Sequence, residues 1–265
     1  MLHYKRIRLV ALPLVMILYA STAKADLIAW YPLHGDASVK VGCFDGDLVN
    51  GPTPAADQNG NANGALSFQA DPNNSSGYSR TNTGSYVSVP KGVFNSSLNE
   101  GLPGLQQGTI ALWVNWSGMQ GTGWNSVNFG SVTARQGDGV FSNNIIGISD
   151  ADPNVGTLTW RPYGAGAAVA VGATPVGDNV WHFVAVTFDG TTGEHDLYLD
   201  GKLDGQENSG ANIGPLHSNA SARFTIGAWI DDGSTYSNST IHDVYIFNTV
   251  LSQCDIQSLQ ANGPP

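Results

Sequence analysis

Apolar and polar positions alternate in short runs along most of this chain, and Gly, Asn, Asp and Ser punctuate them. The stretch from 181 to 203, WHFVAVTFDGTTGEHDLYLDGKL, is the clearest case. Phe183, Ala185 and Thr187 share one side of a pleat, and Val184, Val186 and Phe188 share the other. A strand apolar on both sides is covered on both faces, as in a sandwich. Asp189-Gly190 begins a turn, since Asp bonds its own backbone and Gly tolerates positive φ. Alternation resumes at Glu194, with His195, Leu197 and Leu199 on one face and Asp196, Tyr198 and Asp200 on the other. Asp200-Gly201 is a two-residue hairpin signal. The acids of this stretch therefore fall in turns or on a solvent face.

The same reading predicts strands near 27–33, 65–69, 86–89, 109–116, 127–133, 140–148, 155–161, 167–173, 181–188, 194–199, 202–206, 222–228 and 240–247. Short strands at this spacing predict an all-β sandwich or barrel. Helical periodicity enters only at 251–260, where Leu251, Cys254 and Leu259 are expected to cover a sheet edge. Residues 26–265 show no dividing linker and are expected to form one domain.

The first 25 residues do not fit this pattern. Lys5, Arg6 and Arg8 precede the apolar run LVALPLVMILYA, and Ala23-Lys24-Ala25 has the small-x-small form of a cleavage site. That order predicts a secretory signal peptide over 1–25, cut before Asp26, and a secreted product, extracellular or periplasmic. No later segment is long and apolar enough to insert in a membrane. Four of the 11 Lys and Arg and none of the 21 Asp and Glu lie in residues 1–25, so the remainder carries −14. A polyanion is a poor partner for nucleic acid, because phosphate contact depends on Lys and Arg.

Seven segments then carry a resemblance. IAWYPLHGDA, NANGALSF, YVSVP, GTIALWVNW, the hairpin at 181–203, FTIGAW and IHDVYIFNTVLSQCDI resemble, in this order, segments of laminin-G-like (concanavalin A-like) jelly-roll domains. The resemblance implies a two-sheet antiparallel jelly-roll sandwich, and it makes the acid-rich hairpin scaffold. It also implies a structural calcium ion (Ca2+) at Asp36, after the first strand, and Asp243, on the last. Calcium takes carboxylate and carbonyl oxygens from such polar turns. The only two cysteines, Cys43 and Cys254, follow the first and last strands. Those strands are neighbours in the resembling fold, which implies that the two could form a disulfide, as an exported chain permits.

Catalytic motifs are sparse. Glycosidases on the related fold carry Glu-x-Asp-x-x-Glu on one strand, and here Leu199 stands where the second glutamate would be. There is no Gly-x-Ser-x-Gly elbow and no His-Glu-x-x-His pair. Trp30, Trp113 and Trp181 fall within strands and are expected in the core. Trp116, Trp124, Trp160, Tyr163, Trp229 and Tyr236 fall at strand ends or in Gly-rich segments, where an exposed ring can stack on a sugar. The expected role is a non-catalytic binding module for a carbohydrate or a surface glycoprotein. The alternatives are an adhesive or structural module with protein partners and a glycoside hydrolase or lyase of another type.

Overall fold

The computed structural model describes residues 26–69, 83–89, 105–116, 125–128, 145–148, 156–161, 169–210, 224–229 and 235–265. The signal peptide expected over 1–25 lies outside them. The strands in chain order are β1 (Leu27–Tyr31), β2 (Asp47–Val49), β3 (Thr53–Ala55), β4 (Ala65–Phe68), β5 (Tyr86–Val89), β6 (Gln107–Trp116), β7 (Asn125–Asn128), β8 (Ile145–Ile148) and β9 (Thr157–Arg161). They continue as β10 (Ala170–Pro175), β11 (Trp181–Asp189), β12 (Glu194–Leu199), β13 (Lys202–Asn208), β14 (Phe224–Ile226), β15 (Ala228–Trp229), β16 (Thr235–Tyr236) and β17 (Ser239–Phe247). One helix, α1 (Gln253–Asn262), closes the described chain.

An eight-stranded sheet runs β13-β12-β11-β6-β17-β4-β3, with β1 added against β17. The second layer consists of β10-β9-β8-β7, β14-β5-β2 and the pair β15-β16. The fold is the antiparallel two-sheet sandwich that the resemblance implies, one of the two architectures that the alternation allows. Side-chain parity sets the interior. Ile110, Leu112, Val114 and Trp116 of β6 point inward, and Ile146, Leu158 and Trp160 meet them from the second layer. The layers also join at one edge, where Thr174 Oγ1 of β10 donates to Asp204 Oδ1 of β13 at 2.6 Å. A Cβ at Gly205 would run into the Val171 carbonyl there, so close approach of the two strands requires glycine.

The hairpin at Asp200-Gly201 forms as its sequence dictates, with φ of 48° and 73°. β11 is buried on both sides for a reason beyond the two sheets. Its Val184, Val186 and Phe188 face the sandwich interior, while Phe183 and Ala185 lie under Leu251 and α1. The helix thus covers the outer face of the sheet rather than an edge. It does so through Ile256 and Leu259, while Cys254 is exposed. Ser252 caps α1, accepting from Asp255 N–H at 3.2 Å as the Asp255 carboxylate accepts from Ser252 N–H at 3.1 Å.

β17 changes partner along its length. Ser239–Ile241 pair with β4, and Val244–Phe247 pair with β1. Between them Asp243 takes φ 52°, and the register against β6 slips from His242 to Tyr245. This bulge keeps Ile241, Val244 and Ile246 inward and turns His242 and Tyr245 outward.

Candidate functional site

The outer face of the eight-stranded sheet has two halves. α1 covers one. Among the described residues no element covers the other, and side chains there stand in register across five strands. Trp181 pairs with Asn115, Asn115 with Thr240, Thr240 with Ser67, and Ser67 with Thr53. Directly paired residues point to the same side, so the five form one row, roughly 19 Å long at the usual strand spacing. Thr53 is exposed and the other four are partly exposed. Asn115 Nδ2 donates to the Asn179 carbonyl at 3.0 Å, which fixes the amide plane.

A second row lies behind it, made of Phe183, Trp113 and His242. Trp113 and His242 stack in parallel, with centroids 6.1 Å apart and planes at 2°. Trp181 meets His242 edge-on at 5.2 Å and 75°. The imidazole is 2% exposed. Its Nδ1 lies 3.2 Å from Asp243 Oδ2, close enough for an ion pair but off hydrogen-bond geometry, and neither ring nitrogen has a hydrogen-bond partner. Beyond it, Trp30 Nε1 donates to Asp243 Oδ1 at 2.8 Å, and Lys40 Nζ sits 4.3 Å over the Trp30 ring. Burial pushes the Asp243 carboxyl upward, but the adjacent His242 imidazole and the bond from the Trp30 indole outweigh that and hold it below the usual range.

At the other end of the row, His182 Nδ1 lies 2.9 Å from Asp200 Oδ2 and Nε2 lies 3.4 Å from Asp178 Oδ1. The bond to Asp200 raises the imidazole pKa against the opposing effect of burial. Asp200 Oδ1 also accepts from Phe183 N–H at 2.9 Å, so the β12–β13 turn is tied to the strand that carries Trp181.

The tryptophans exchange the roles expected of them. Trp116 and Trp160 are fully buried and contact no ligand from the surface. Trp160 packs on Phe188 at 6.1 Å and donates from Nε1 to His195 Nδ1 at 3.3 Å inside the sandwich. Trp30, Trp113 and Trp181, expected in the core, are partly exposed on the outer face. The cause is parity: Trp116 shares that of Ile110, Leu112 and Val114, and Trp113 shares that of Asn115. Trp229 and Tyr236 lie on the paired β15 and β16, and their side chains are outside the described residues, as are Trp124 and Tyr163.

Asp36 and Asp243 each engage a donor of their own. Asp36 Oδ1 accepts from Ser38 N–H at 2.9 Å, a turn cap. Asp243 is held by the Trp30 indole beside His242. Among the described residues no three His, Cys, Asp or Glu side chains gather to hold a metal. Cys43 and Cys254 are likewise unbridged and exposed. Cys43 follows Val41, which bonds Trp30 at the β1 flank. Cys254 lies between Gln253 and Gln257, whose amides donate to the Gly201 carbonyl at 3.0 and 2.9 Å. That turn belongs to β12 and β13, and β17, β6 and β11 lie between it and β1.

The acids of the hairpin are scaffold. Gln206 Nε2 donates to Asp196 Oδ1 at 2.8 Å and to Glu194 Oε1 at 3.3 Å, so an amide separates the two carboxylates. A further cavity of about 480 Å³ opens between α1 and the end of β17. Apolar Phe247, Val250, Leu251, Leu259, Pro264 and Pro265 line it together with polar Asp255, Ser258 and Asn262.

This sandwich places the molecule among concanavalin A-like β-proteins. Residues 79–257 match the laminin-G family Laminin_G_3, described as the concanavalin A-like lectin/glucanases superfamily. The chain belongs to that family. Among solved structures it is similar to domain 4 of AbnA, a GH43 extracellular arabinanase from Geobacillus stearothermophilus, in complex with arabinotriose. That match has a TM-score of 0.57 and 18% identity, over 89% of this chain and 98% of the other. It is also similar to the binding domain of botulinum neurotoxin DC in complex with SialylT, with a TM-score of 0.55 and 14% identity, over 90% of this chain and 51% of the other. Among curated proteins, the calpain-type cysteine protease DEK1 of Arabidopsis thaliana is 30% identical over 102 residues, 34% of this chain. The match spans 5% of that protein's length.

Proposed function

We propose that this chain is a carbohydrate-binding domain that seats a glycan along the bare shelf of the eight-stranded sheet. The observation that carries the reading is the in-register row of Trp181, Asn115, Thr240, Ser67 and Thr53, backed by Trp113 and His242. A sugar ring has an apolar face that stacks on an indole and a hydroxyl rim that bonds amides and hydroxyls. The shelf offers both kinds of contact side by side, on strands rather than loops, so their spacing is fixed before binding. The similar arabinanase domain complexed with arabinotriose and the neurotoxin binding domain complexed with SialylT support a glycan as the partner class.

The reading assumes an exported protein. N-terminal sequencing of the product should begin at or near Asp26, and a chain retained from Met1 in the membrane would contradict it. It extends to a structural calcium ion at Asp36 and Asp243, acting on stability. A calcium-dependent rise in melting temperature that is lost in Asp243→Ala would support that ion, whereas equal melting temperatures in calcium and in chelator would remove it.

A protein partner is the second reading. The apolar cavity beside α1 favours it, and the neurotoxin DC binding domain is also known in complex with rat synaptotagmin II.

The test is a glycan array followed by calorimetry on any hit. Trp181→Ala and Trp113→Ala should each weaken binding about tenfold or more, the loss of one good stacking contact. Their unfolding should remain cooperative. Undiminished glycan binding in both variants would show that the shelf is not the site.

A further inference from the structure

Resting on the shelf as a glycan site, we infer that its ligand is a linear, extended glycan that crosses the strands, with about one ring per strand. Its rings are joined through opposite ends, as in a β-1,4-linked chain. The first ground is direction. Along β6 the outer-face positions run from Asn115 through Trp113 to Ala111, and Ala111 is fully buried. Along β11 they run from Trp181 to Phe183 and Ala185, both fully buried. These three residues pack with Leu251, Ile256 and Leu259, so a ligand laid along the strands runs into the cover of α1. Across the strands the row passes from Trp181 to Thr53 through positions that are all at least partly exposed.

The second ground is spacing. Neighbouring strands lie about 4.8 Å apart, and a ring joined through its opposite ends advances a chain by about that distance. Each strand of the row can therefore meet one ring. A chain that coils, as α-1,4 links make it, departs from a straight row. The third ground is chemistry. Asn115, Thr240, Ser67 and Thr53 carry an amide and three hydroxyls, while Trp181 and Trp113 present rings at one end. An extended chain stacks on the indoles there and turns its hydroxyls to the polar positions beyond. The fold also sets the length. β3 is the last strand of the sheet, and β12 pairs with β11 only from Val184 onward, so no strand of the sheet continues the row past Thr53 or Trp181. Contacts along the row end at about five rings.

The experiment is calorimetry on the full chain with β-1,4-linked oligomers of glucose, mannose and xylose, from the disaccharide to the hexamer, and with maltohexaose as the coiled control. In at least one series affinity should climb about tenfold or more from disaccharide to pentamer, then change less than about twofold to the hexamer. Maltohexaose should bind about tenfold more weakly than the best hexamer. Joint Thr53→Ala and Ser67→Ala substitution should cost the pentamer about tenfold and leave the disaccharide on Trp181 unchanged. Equal affinity for disaccharide and pentamer, a pentamer indifferent to the joint substitution, or maltohexaose bound best would overturn the inference. If Trp181→Ala still abolishes that binding, the shelf stands without it. A glycan-array hit lost in Trp181→Ala, with no β-1,4 series bound, has the same meaning. If nothing binds, or Trp181→Ala and Trp113→Ala leave binding untouched, the shelf reading falls and the inference with it.

Discussion

The two faces of the eight-stranded sheet use the same residue types for opposite purposes. On the inner face β6 presents Ile110, Leu112, Val114 and Trp116 to the second layer, and every one is fully buried. On the outer face the alternate positions are Ala111, Trp113 and Asn115, running from the helix-covered half to the bare one. Tryptophan is filler inside and display outside. His195 and His242 repeat the contrast. Each is a buried imidazole against a tryptophan, but His195 accepts from Trp160 Nε1 in the interior while His242 stacks on Trp113 at the rim of the shelf. What separates a packing aromatic from an exposed one here is which side of the pleat it occupies and whether α1 reaches over it.

Paired substitutions break the comparison most directly. Trp160→Ala should destabilise the fold by about 3–5 kcal/mol, because a large buried ring leaves a cavity. Trp181→Ala should cost roughly 1 kcal/mol, as a partly exposed position does. Urea unfolding of both variants checks this, and equal losses would mean that the two faces are not distinct in energy.

The next largest effect is in pH. Burial pushes the His195 pKa from 6.5 down to about 4. The unfolded chain therefore binds a proton that the folded chain refuses between those values, and stability should fall as pH drops through that window. The slope is about 1.4 kcal/mol per pH unit from this group. His195→Gln should flatten that part of the profile, and an unchanged slope would place the acid sensitivity elsewhere.

His182 sharpens the comparison with the opposite sign and the smallest effect. Its pKa is raised by Asp200, so its contribution is complete below the unfolded value and fades as pH rises through the folded one. Asp178 and Asp200 are nearly half exposed, at 48% and 43% of their side chains. Screening should hold the contribution to roughly a few tenths of a kcal/mol. Unfolding of Asp200→Asn across neutral pH should lose that increment, and a parallel profile would show that His182 contributes nothing.

Local pattern in the sequence was enough for the strands that carry the shelf. Alternation located β6, β11, β12 and β17, and Asp200-Gly201 set the hairpin register, because period and turn chemistry are properties of neighbouring residues. It missed β2, β3, β15 and β16, whose two or three residues are too few to show a period. Within β6 the parity that separates Trp113 from Trp116 was also present, in the shared step of Ile110, Leu112 and Val114. The row across β11, β6, β17, β4 and β3 was not legible, since it joins residues from Thr53 to Thr240 that meet only through strand order.

The sequence by itself determined the sandwich, its hairpins and the two-sided burial of β11, because backbone pairing and apolar burial follow from short-range pattern. Tertiary structure decided which outer-face residues are covered. α1 docks on the outer face through Ile256 and Leu259 and leaves Trp113, Trp181 and Asn115 partly exposed. The bulge at Asp243 turns His242 toward Trp113 and gives β17 two different partners. Both are consequences of where distant segments pack, and no window of neighbouring residues contains that information.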